Sequence, residues 1–574
     1  MRKQEDKGKC EYARQTSVRT NSIREFLPMF RSTPSLAVVC AGLGGLAFLV
    51  LTAFGISDSQ NANPQPTQPM PSTENERAAN GPLPGDLSLY AKEFECCRRL
   101  PTPGYFSSLN GAELADAQRS GVFPCATFSG SHSGKNAVYA WRSEDSYQGV
   151  TFMCNRYPGE LYLTGGDTPP LTGPVPPGPF VAKADATTGK QIWRTYLDNA
   201  NASGHWIATI NLNILASGKI VVAWANTVAL LDPDDGRILK LTDLPTGDTP
   251  PLDISYKKLT VAPDGTLILI SQARPAGSRL QGSFAWVKGV MEGQKVANSV
   301  MAAVDPDTLV VYDWLQMTEA SIPAHIITPF EGKTAIYATA NVHTLRYFWD
   351  PIKKKLSQDK SWVVPYLAQG QTPGAAPGVL GDWIVIQTNG VASRVPSTIV
   401  VVSQKDPKKT KVIAPFGDLK SGQVSWCNPK PTVDVENNMI YSADLGVGKV
   451  AGIKIDPDTG EMKTAFVVDD WTFTFQPVIG PKDERVLLLT NMRFDEIDTD
   501  KPVPQEQLAT ALFTGGYREQ LTWRDAATGK LLAESDLSER LSPGSLTPPG
   551  FGGRVYFPTG KGFIVLQVVP EEKP

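Results

Sequence analysis

Histidines in predicted loops are the first side chains whose chemistry could serve a functional site. The chain of 574 residues has four histidines. We predict that His205, His325 and His343 lie in loops on one side of the molecule. Imidazoles can bind metal ions or transfer protons. Histidines scattered over separate loops usually do neither, so the sequence predicts no metal centre, and a hydrolase or lyase using His325 or His343 remains a distant alternative.

Two long predicted loops carry the other candidate side chains. Residues 272–298 contain basic and aromatic residues, and residues 491–518 contain an acidic run that lacks the spacing of a calcium loop. No Ser-His-Asp order, phosphate-binding glycine loop or metalloprotease motif occurs, so we predict no catalytic residue. The candidate binding face comprises His205, Arg274, Arg279, Trp286, His325, His343, Asp495 and Asp498.

A recurring turn, Asp-x-x-Thr-Gly or a degraded copy of it, indicates the scaffold that positions these loops. Each copy follows an apolar strand, and most copies are separated by roughly 50 residues, the length of one four-stranded propeller blade. Together with a final strand pair near the C-terminus, the copies predict an all-β, eight-bladed β-propeller over residues 151–570, with seven blades as the alternative. The copies begin at Asp185, Asp232, Asp305, Asp350, Asp406, Asp456 and Asp525.

The alternation of strands predicts two different faces. Loops that lead into each blade, and loops between its second and third strands, must lie together on what we call the loop face. Aspartate turns and first hairpins must lie on the opposite turn face. The aspartate accepts backbone N–H groups two residues on, and glycine adopts the positive φ that the turn needs. We predict that residues 149–154 supply an outer strand that closes the ring.

The N-terminal region predicts a membrane anchor. Residues 1–34 form a basic tail, residues 35–56 are uncharged and long enough to span a bilayer, and residues 57–86 form a polar, Pro-rich linker. The positive-inside rule places the N-terminus in the cytoplasm and the propeller outside it, in the periplasm, on the inner (plasma) membrane. A cleaved signal peptide is the alternative.

Residues 87–150 form a cysteine-containing segment with a short helix predicted near Leu87. In an oxidising compartment the candidates for disulfide bonds are Cys96, Cys97, Cys125 and Cys154. The formal net charge of −3 excludes a general nucleic-acid surface.

The run from Ala182 to Trp193, Ala-x-Asp-x-x-Thr-Gly-x-x-x-Trp, resembles the repeat of the pyrroloquinoline-quinone propeller superfamily. That superfamily includes quinoprotein dehydrogenases, a scaffold lipoprotein and membrane-anchored proteins of unknown role. For a dehydrogenase the resemblance implies pyrroloquinoline quinone, Ca²⁺ with acidic ligands and a tryptophan platform. The sequence favours a non-catalytic binding or scaffold module with a protein or carbohydrate partner on the loop face. A quinone-dependent dehydrogenase that oxidises alcohols or sugars is the alternative.

Overall fold

The computed structural model describes most of the chain beyond the predicted linker. It covers residues 87–100, 102–166, 178–197, 210–275, 278, 293–390, 395–427, 430–542 and 546–571. Residues 1–86, including the predicted membrane segment, lie outside this range. Among the described residues, no helix is long and apolar enough to cross a bilayer.

The N-terminal elements precede the blades in sequence but belong to the propeller in space. They are α1 (Leu87–Arg99), β1 (Val122–Phe123) and β2 (Asn136–Arg142). Helix α1 confirms the helix predicted near Leu87. Strand β1 pairs in parallel with an innermost strand, and β2 forms an outermost strand.

The described strands form eight separate sheets, which we call blades 1 to 8 in chain order. In each complete blade the first strand lies beside the central channel and the fourth lies outside. The first four blades comprise, in sequence order, β3–β6 (Met153–Cys154, Glu160–Gly165, Phe180–Asp185, Gln191–Tyr196), β7–β10 (Asn211–Ile214, Ile220–Trp224, Thr227–Leu231, Ile238–Asp243), β11–β14 (Ile254–Val261, Leu267–Ala273, Val300–Val304, Val311–Gln316) and β15–β18 (Ser321–Phe330, Lys333–Ala340, His343–Asp350, Lys355–Pro365).

The remaining blades follow the same order, except that two short strands share the inner edge of blade 5. They comprise β19–β23 (Thr372–Pro373, Gly378–Leu380, Trp383–Asn389, Ile399–Ser403, Thr410–Ile413), β24–β27 (Thr432–Asp434, Met439–Asp444, Lys449–Ile455, Met462–Val468), β28–β31 (Val478–Ile479, Val486–Phe494, Tyr517–Asp525, Leu531–Glu534) and β32–β34 (Pro549–Gly550, Arg554–Thr559, Gly562–Pro570). Single-turn 3₁₀ helices lie at Pro251–Asp253 and Lys482–Glu484, and α2 (Gln505–Thr514) lies between β29 and β30. The eight blades confirm the predicted count.

Ring closure differs from the prediction for residues 149–154. The outer strand of blade 8 is β2, which pairs with β34 from Asn136↔Pro570 to Arg142↔Ile564. Met153 and Cys154 instead form the innermost strand of blade 1. Blade 8 therefore combines both ends of the described chain, and a strand from the predicted N-terminal segment 87–150 completes the propeller.

The aspartate turns join the third and fourth strands of seven blades, as predicted. In blade 6, Oδ1 of Asp456 accepts the backbone N–H groups of Asp458 and Thr459, each over 2.9 Å. Gly460 closes the turn with a φ of +75°, and a Cβ there would lie 2.6 Å from the ring of Trp383 in blade 5. The indole of Trp383 also donates to the carbonyl of Pro457 over 2.8 Å. Each turn therefore also packs against its neighbouring blade.

Central strands are buried on both faces, which explains the weak alternation in their sequences. Strands β8, β9, β13 and β22 are buried at every position. The outermost strands are more exposed, and in β27 half-buried and exposed side chains alternate. Apolar side chains of adjacent blades pack against each other and hold the ring together.

Candidate functional site

Residues 102–126, which we call the channel segment, occupy the centre of the propeller. Their hydrogen bonds reach the innermost strands of six blades, so the segment replaces solvent along much of the channel wall. From the segment, Asn110 Nδ2 donates to the carbonyl of Met153 and Arg119 Nη2 to that of Leu259. In the other four bonds a blade N–H donates to a carbonyl of the segment: Ile214 to Gly111, Ile327 to Ala117, Val433 to Ser120 and Val478 to Gly121. All six distances lie between 2.8 and 3.1 Å.

The channel segment enters and leaves on the turn face. Near its start, the hydroxyl of Tyr105 accepts the N–H of Val261, the last residue of β11, over 2.8 Å. Near its end, a disulfide bond joins Cys125 to Cys96 of α1. This bond confirms one pairing among the predicted cysteines; Cys97 and Cys154 are free and buried. The disulfide ties the segment to the helix that precedes it.

A buried ion cluster fixes the segment at mid-channel. Arg119 donates from Nη1 to Oε2 of Glu113 over 2.6 Å, and Nζ of Lys258 from blade 3 donates to Oε1. Burial alone would raise the pKa of Glu113, but the two cations outweigh it and hold that pKa at about 2. Nε of Arg119 also donates to the carbonyl of His325 over 3.0 Å. The cluster therefore joins the segment to blades 3 and 4.

A second pair of charges lies beside this cluster. Nζ of Lys430 donates to the carbonyls of Arg119 and Pro431. Burial, together with the charge of Arg119, lowers the pKa of Lys430 to about 7, although Asp116 opposes the shift. Burial raises the pKa of Asp116, whose carboxylate accepts the Ser120 hydroxyl over 2.6 Å. Lys430 belongs to the packed interior, whereas Asp116 is half-buried.

The cavity beside Glu113 is too small for the quinone that the repeat resemblance implies for a dehydrogenase. The cavity beside the channel segment measures about 10 Å³, and its lining includes Glu113, Phe152 and Leu546. That volume holds roughly one water molecule, whereas pyrroloquinoline quinone has three fused rings. Nζ of Lys258 lies 4.5 Å from the ring centroid of Phe152, which further narrows this level of the channel. Within the described residues, no group of three or more His, Cys, Asp or Glu side chains could hold a metal ion.

His325 was predicted in a loop on the loop face, and this prediction is wrong. It lies within β15 and is completely buried. Burial, reinforced by the charge of Arg119, lowers its pKa to about 3, so the ring is neutral. A period-two reading of Ser-Ile-Pro-Ala-His-Ile would have placed this histidine inside a strand, but Pro329 was interpreted as part of a loop that leads into a blade.

His343 does lie at the loop face, at the first position of β17. Its Nδ1 is 2.5 Å from Oε1 of Glu319, and the backbone N–H groups of Val342 and His343 donate to Oε2 at 2.9 and 3.2 Å. The carboxylate orients the half-buried ring so that Nδ1 carries the proton. Such a ring can accept a hydrogen bond from a ligand at Nε2.

Of the remaining predicted residues outside the acidic loop, one is described by the structure and three are not. Arg274 lies on the loop face and donates from Nε to Oδ1 of Asp253 over 2.5 Å. Both side chains are largely buried, so the arginine links blade 3 to the loop that leads into it. His205, Arg279 and Trp286 lie outside the described residues.

The acidic insertion of blade 7 spans residues 495–516, between β29 and β30. Asp495 and Asp498 are exposed, and Asp498 forms an ion pair with Lys501 over 2.7 Å. Helix α2 packs through Leu508 into an apolar cluster with Trp471. The insertion therefore covers part of the loop face with an ordered lobe.

Aromatic side chains border this lobe. The rings of Trp426 and Phe473 lie 5.8 Å apart at 88°, and both side chains are half-buried on loops that lead into blades 6 and 7. Trp471 and Phe494 pack edge to face beneath them, 5.4 Å apart. Blade 7 thus presents aromatic and acidic groups together, whereas Arg274 and His343 lie on blades 3 and 4. Those predicted binding residues that the structure describes do not form one cluster.

The sequence analysis missed the channel segment. The signal was present in two lysines, Lys258 within an innermost strand and Lys430 next to one. A charged side chain facing the channel needs a buried partner; Glu113 pairs with Lys258, and the charge of Asp116 favours the protonated form of Lys430. Both acids lie in residues 87–150, which show no repeat.

No family model matches the chain, and no curated protein matches it. The chain is similar to solved structures that include quinohemoprotein alcohol dehydrogenase from Comamonas testosteroni, at 12% identity and a TM-score of 0.47, covering 85% of this chain and 86% of that one. It is also similar to BamB from Moraxella catarrhalis, at 9% identity and a TM-score of 0.40, covering 76% and 99%. The WD40 domain of SCAP from fission yeast matches at 7% identity and a TM-score of 0.37, covering 75% and 97%. The eight blades and their shared aspartate turns confirm the predicted eight-bladed β-propeller fold.

Proposed function

We propose that this protein is a membrane-anchored, extracytoplasmic β-propeller that binds a protein or carbohydrate partner on its loop face and catalyses no reaction. One observation carries the proposal: the channel, where a propeller can enclose a small ligand, is filled by the channel segment. With the channel filled, the loop face offers the larger binding surface.

Side chains on the loop face suit macromolecular recognition. Half-buried Trp426 and Phe473 offer apolar contact area beside the exposed carboxylates of Asp495 and Asp498. Aromatic side chains on loops above a rigid scaffold are frequent anchors in protein interfaces and carbohydrate sites.

The competing function is a quinone-dependent dehydrogenase, and it can be tested directly. Purified full-length protein in detergent is titrated with pyrroloquinoline quinone and Ca²⁺ while the quinone absorbance is followed. Dye reduction with alcohols or sugars is then assayed. We expect neither saturable binding nor dye reduction. Stoichiometric binding with turnover would replace the scaffold proposal by the enzyme.

A second experiment tests the loop face itself. A photo-crosslinking residue is placed at Asp498 on the loop face and, as a matched control, at Asp458 on the turn face; both positions are exposed. We expect one discrete adduct from position 498 in intact cells and none from position 458. Adducts of equal yield from both positions would refute a loop-face partner.

A further inference from the structure

The aspartate turns of blades 4 and 5 differ in charge from the other copies. Residues 350–355 and residues 406–411 each carry three lysines and one aspartate. The corresponding turns of blades 2, 3 and 6 carry three, two and three acidic side chains. A chain with a net negative charge therefore concentrates positive charge at one part of its turn face.

These two turns lie on neighbouring blades that are joined at this level. The hydroxyl of Tyr337 in blade 4 donates to Oε1 of Gln404 in blade 5 over 2.9 Å, one residue before Lys405. The indole of Trp362 donates to the carbonyl of Ser403 over 2.9 Å. The lysines on these two blades make up what we call the basic edge, which comprises Lys333, Lys353, Lys354, Lys355, Lys405, Lys408, Lys409 and Lys411. Four of them form ion pairs at this edge, Lys353 with Asp350, Lys355 with Asp313, Lys405 with Asp382 and Lys411 with Glu461.

An apolar side chain projects from the middle of this charge. Ile352 is 92% exposed at the tip of the blade 4 turn. The same turn position is Asp234, Asp307 or Asp458 in blades 2, 3 and 6, and Lys408 in blade 5. An isoleucine so exposed has no packing role in the described structure and is available for an apolar contact.

The chain also approaches the propeller from this face. Helix α1, which directly follows the predicted linker, packs on the turn face, where Oε2 of Glu93 accepts the N–H of Gly552 between β32 and β33. The predicted linker between the proposed anchor and α1 has 30 residues. An anchor so attached tethers the turn face to the bilayer and raises the effective concentration of the basic edge at the lipid surface.

We propose that the basic edge docks on an anionic phospholipid surface, with Ile352 inserted at the boundary between head groups and acyl chains and the lysines on lipid phosphates. Exposed apolar groups surrounded by lysine bind membranes through combined apolar burial and electrostatic attraction. The contact rests on the proposed anchor, and it orients the loop face away from the membrane, toward a partner. Lipid is the favoured occupant because the exposed isoleucine adds an apolar contact that a soluble polyanion would not use.

The test uses the full chain reconstituted in vesicles. Cys10 and Cys40 are replaced by Ser, and an environment-sensitive fluorophore is attached to Ile352→Cys; the remaining free cysteines are buried. The matched control carries the fluorophore at Asp458→Cys, the same turn position in blade 6. Vesicles contain phosphatidylcholine alone or equal parts phosphatidylcholine and phosphatidylglycerol, each with a nitroxide-labelled lipid as quencher.

We expect strong quenching at position 352 in the anionic vesicles, weaker quenching in phosphatidylcholine, and none above background at position 458. Adding Lys353→Glu and Lys408→Glu, both at exposed positions, should reduce quenching at position 352 to the control level. High salt should reduce it as well. Equal quenching at positions 352 and 458 would overturn the docking proposal.

Two further readouts separate the possible failures. If alkaline carbonate removes the protein from vesicles, the anchor in the proposed function fails. If the protein resists carbonate but position 352 is not quenched, only the docking proposal fails. If dextran sulfate changes the fluorescence at position 352 while anionic vesicles do not, the basic edge binds a soluble polyanion and the lipid proposal is wrong.

Discussion

Arg119 and Glu113 form a completely buried ion pair at the centre of the propeller, with 2.6 Å between Nη1 and Oε2. Lys258 from blade 3 contacts the same carboxylate, and Arg119 reaches the carbonyl of His325 in blade 4. A segment that precedes the blades in sequence thereby becomes part of the wall against which they pack.

Breaking this pair should destabilise the whole protein. Arg119→Met leaves Glu113 buried with one cation fewer, and removing one partner of a buried pair costs about 3–5 kcal/mol of unfolding free energy. Chemical denaturation followed by tryptophan fluorescence measures the loss. The control is Lys408→Met, at an exposed position, for which the change should be within about 0.5 kcal/mol. Equal midpoints for both variants would show that the pair does not hold the fold.

Stability should fall in acid because of Glu113. Its folded pKa of about 2 lies below its usual value of 4.5. The unfolded state therefore binds the proton first, and the stabilisation present above pH 4.5 is lost as pH falls toward 2. Denaturation midpoints between these pH values should decrease more steeply for the native chain than for Glu113→Gln. Identical pH profiles would contradict the assigned role of Lys258 and Arg119.

Glu519 should make stability depend on pH in the opposite direction to Glu113, and at pH values nearer neutrality. Burial raises its pKa to about 7, although Leu541 N–H and the charge of Arg540 oppose the shift. The folded state therefore retains the proton longer, and stability decreases as pH rises from 4.5 through 7. In Glu519→Gln this decrease should be smaller. Thermal midpoints at several pH values measure it, and an unchanged slope would show that the carboxyl is charged in the folded protein.

Gly460 provides a test of the contact between neighbouring blades. Gly460→Ala combines a φ of +75° with a Cβ placed 2.6 Å from the ring of Trp383. The matched control is Gly332→Ala, where φ is +74° and nothing lies within 4 Å. The control should lose about 1 kcal/mol through backbone strain, and Gly460→Ala should lose clearly more. Equal losses in unfolding free energy would mean that the turn does not pack tightly against blade 5.

The repeat made the fold predictable from the sequence, whereas the filling of the channel could not be predicted. Each aspartate turn, such as the one at Asp456, carries its own local signal, because the side chain bonds backbone groups two and three residues away. Glu113 and Arg119 pair with each other across only six residues but carry no such signal, since the groups that hold them in the blades are 98 to 206 residues distant in the sequence.

At the candidate site, too, features with a local sequence signal could be predicted and features without one could not. His343 was predicted on the loop face and lies there, but its partner Glu319 comes from another loop. His325 was misassigned because Pro329, in Ile327-Thr-Pro329, was interpreted as part of a loop that leads into a blade. Ring closure by β2 could not be read from sequence, because Asn136–Arg142 pairs with residues more than 400 positions later.

The central claim is that residues 102–126 fill the channel of the folded protein. Native-state hydrogen exchange of the full chain, followed by mass spectrometry of peptides covering residues 111–122, tests it most directly. Amides at the channel wall, such as those of Glu113 and Val122, are hydrogen-bonded to buried acceptors or lie in β1. We predict protection in these peptides comparable to that of β12 and β13. Exchange of the same peptides at the rate of unstructured chain, while the blade strands remain protected, would contradict the account.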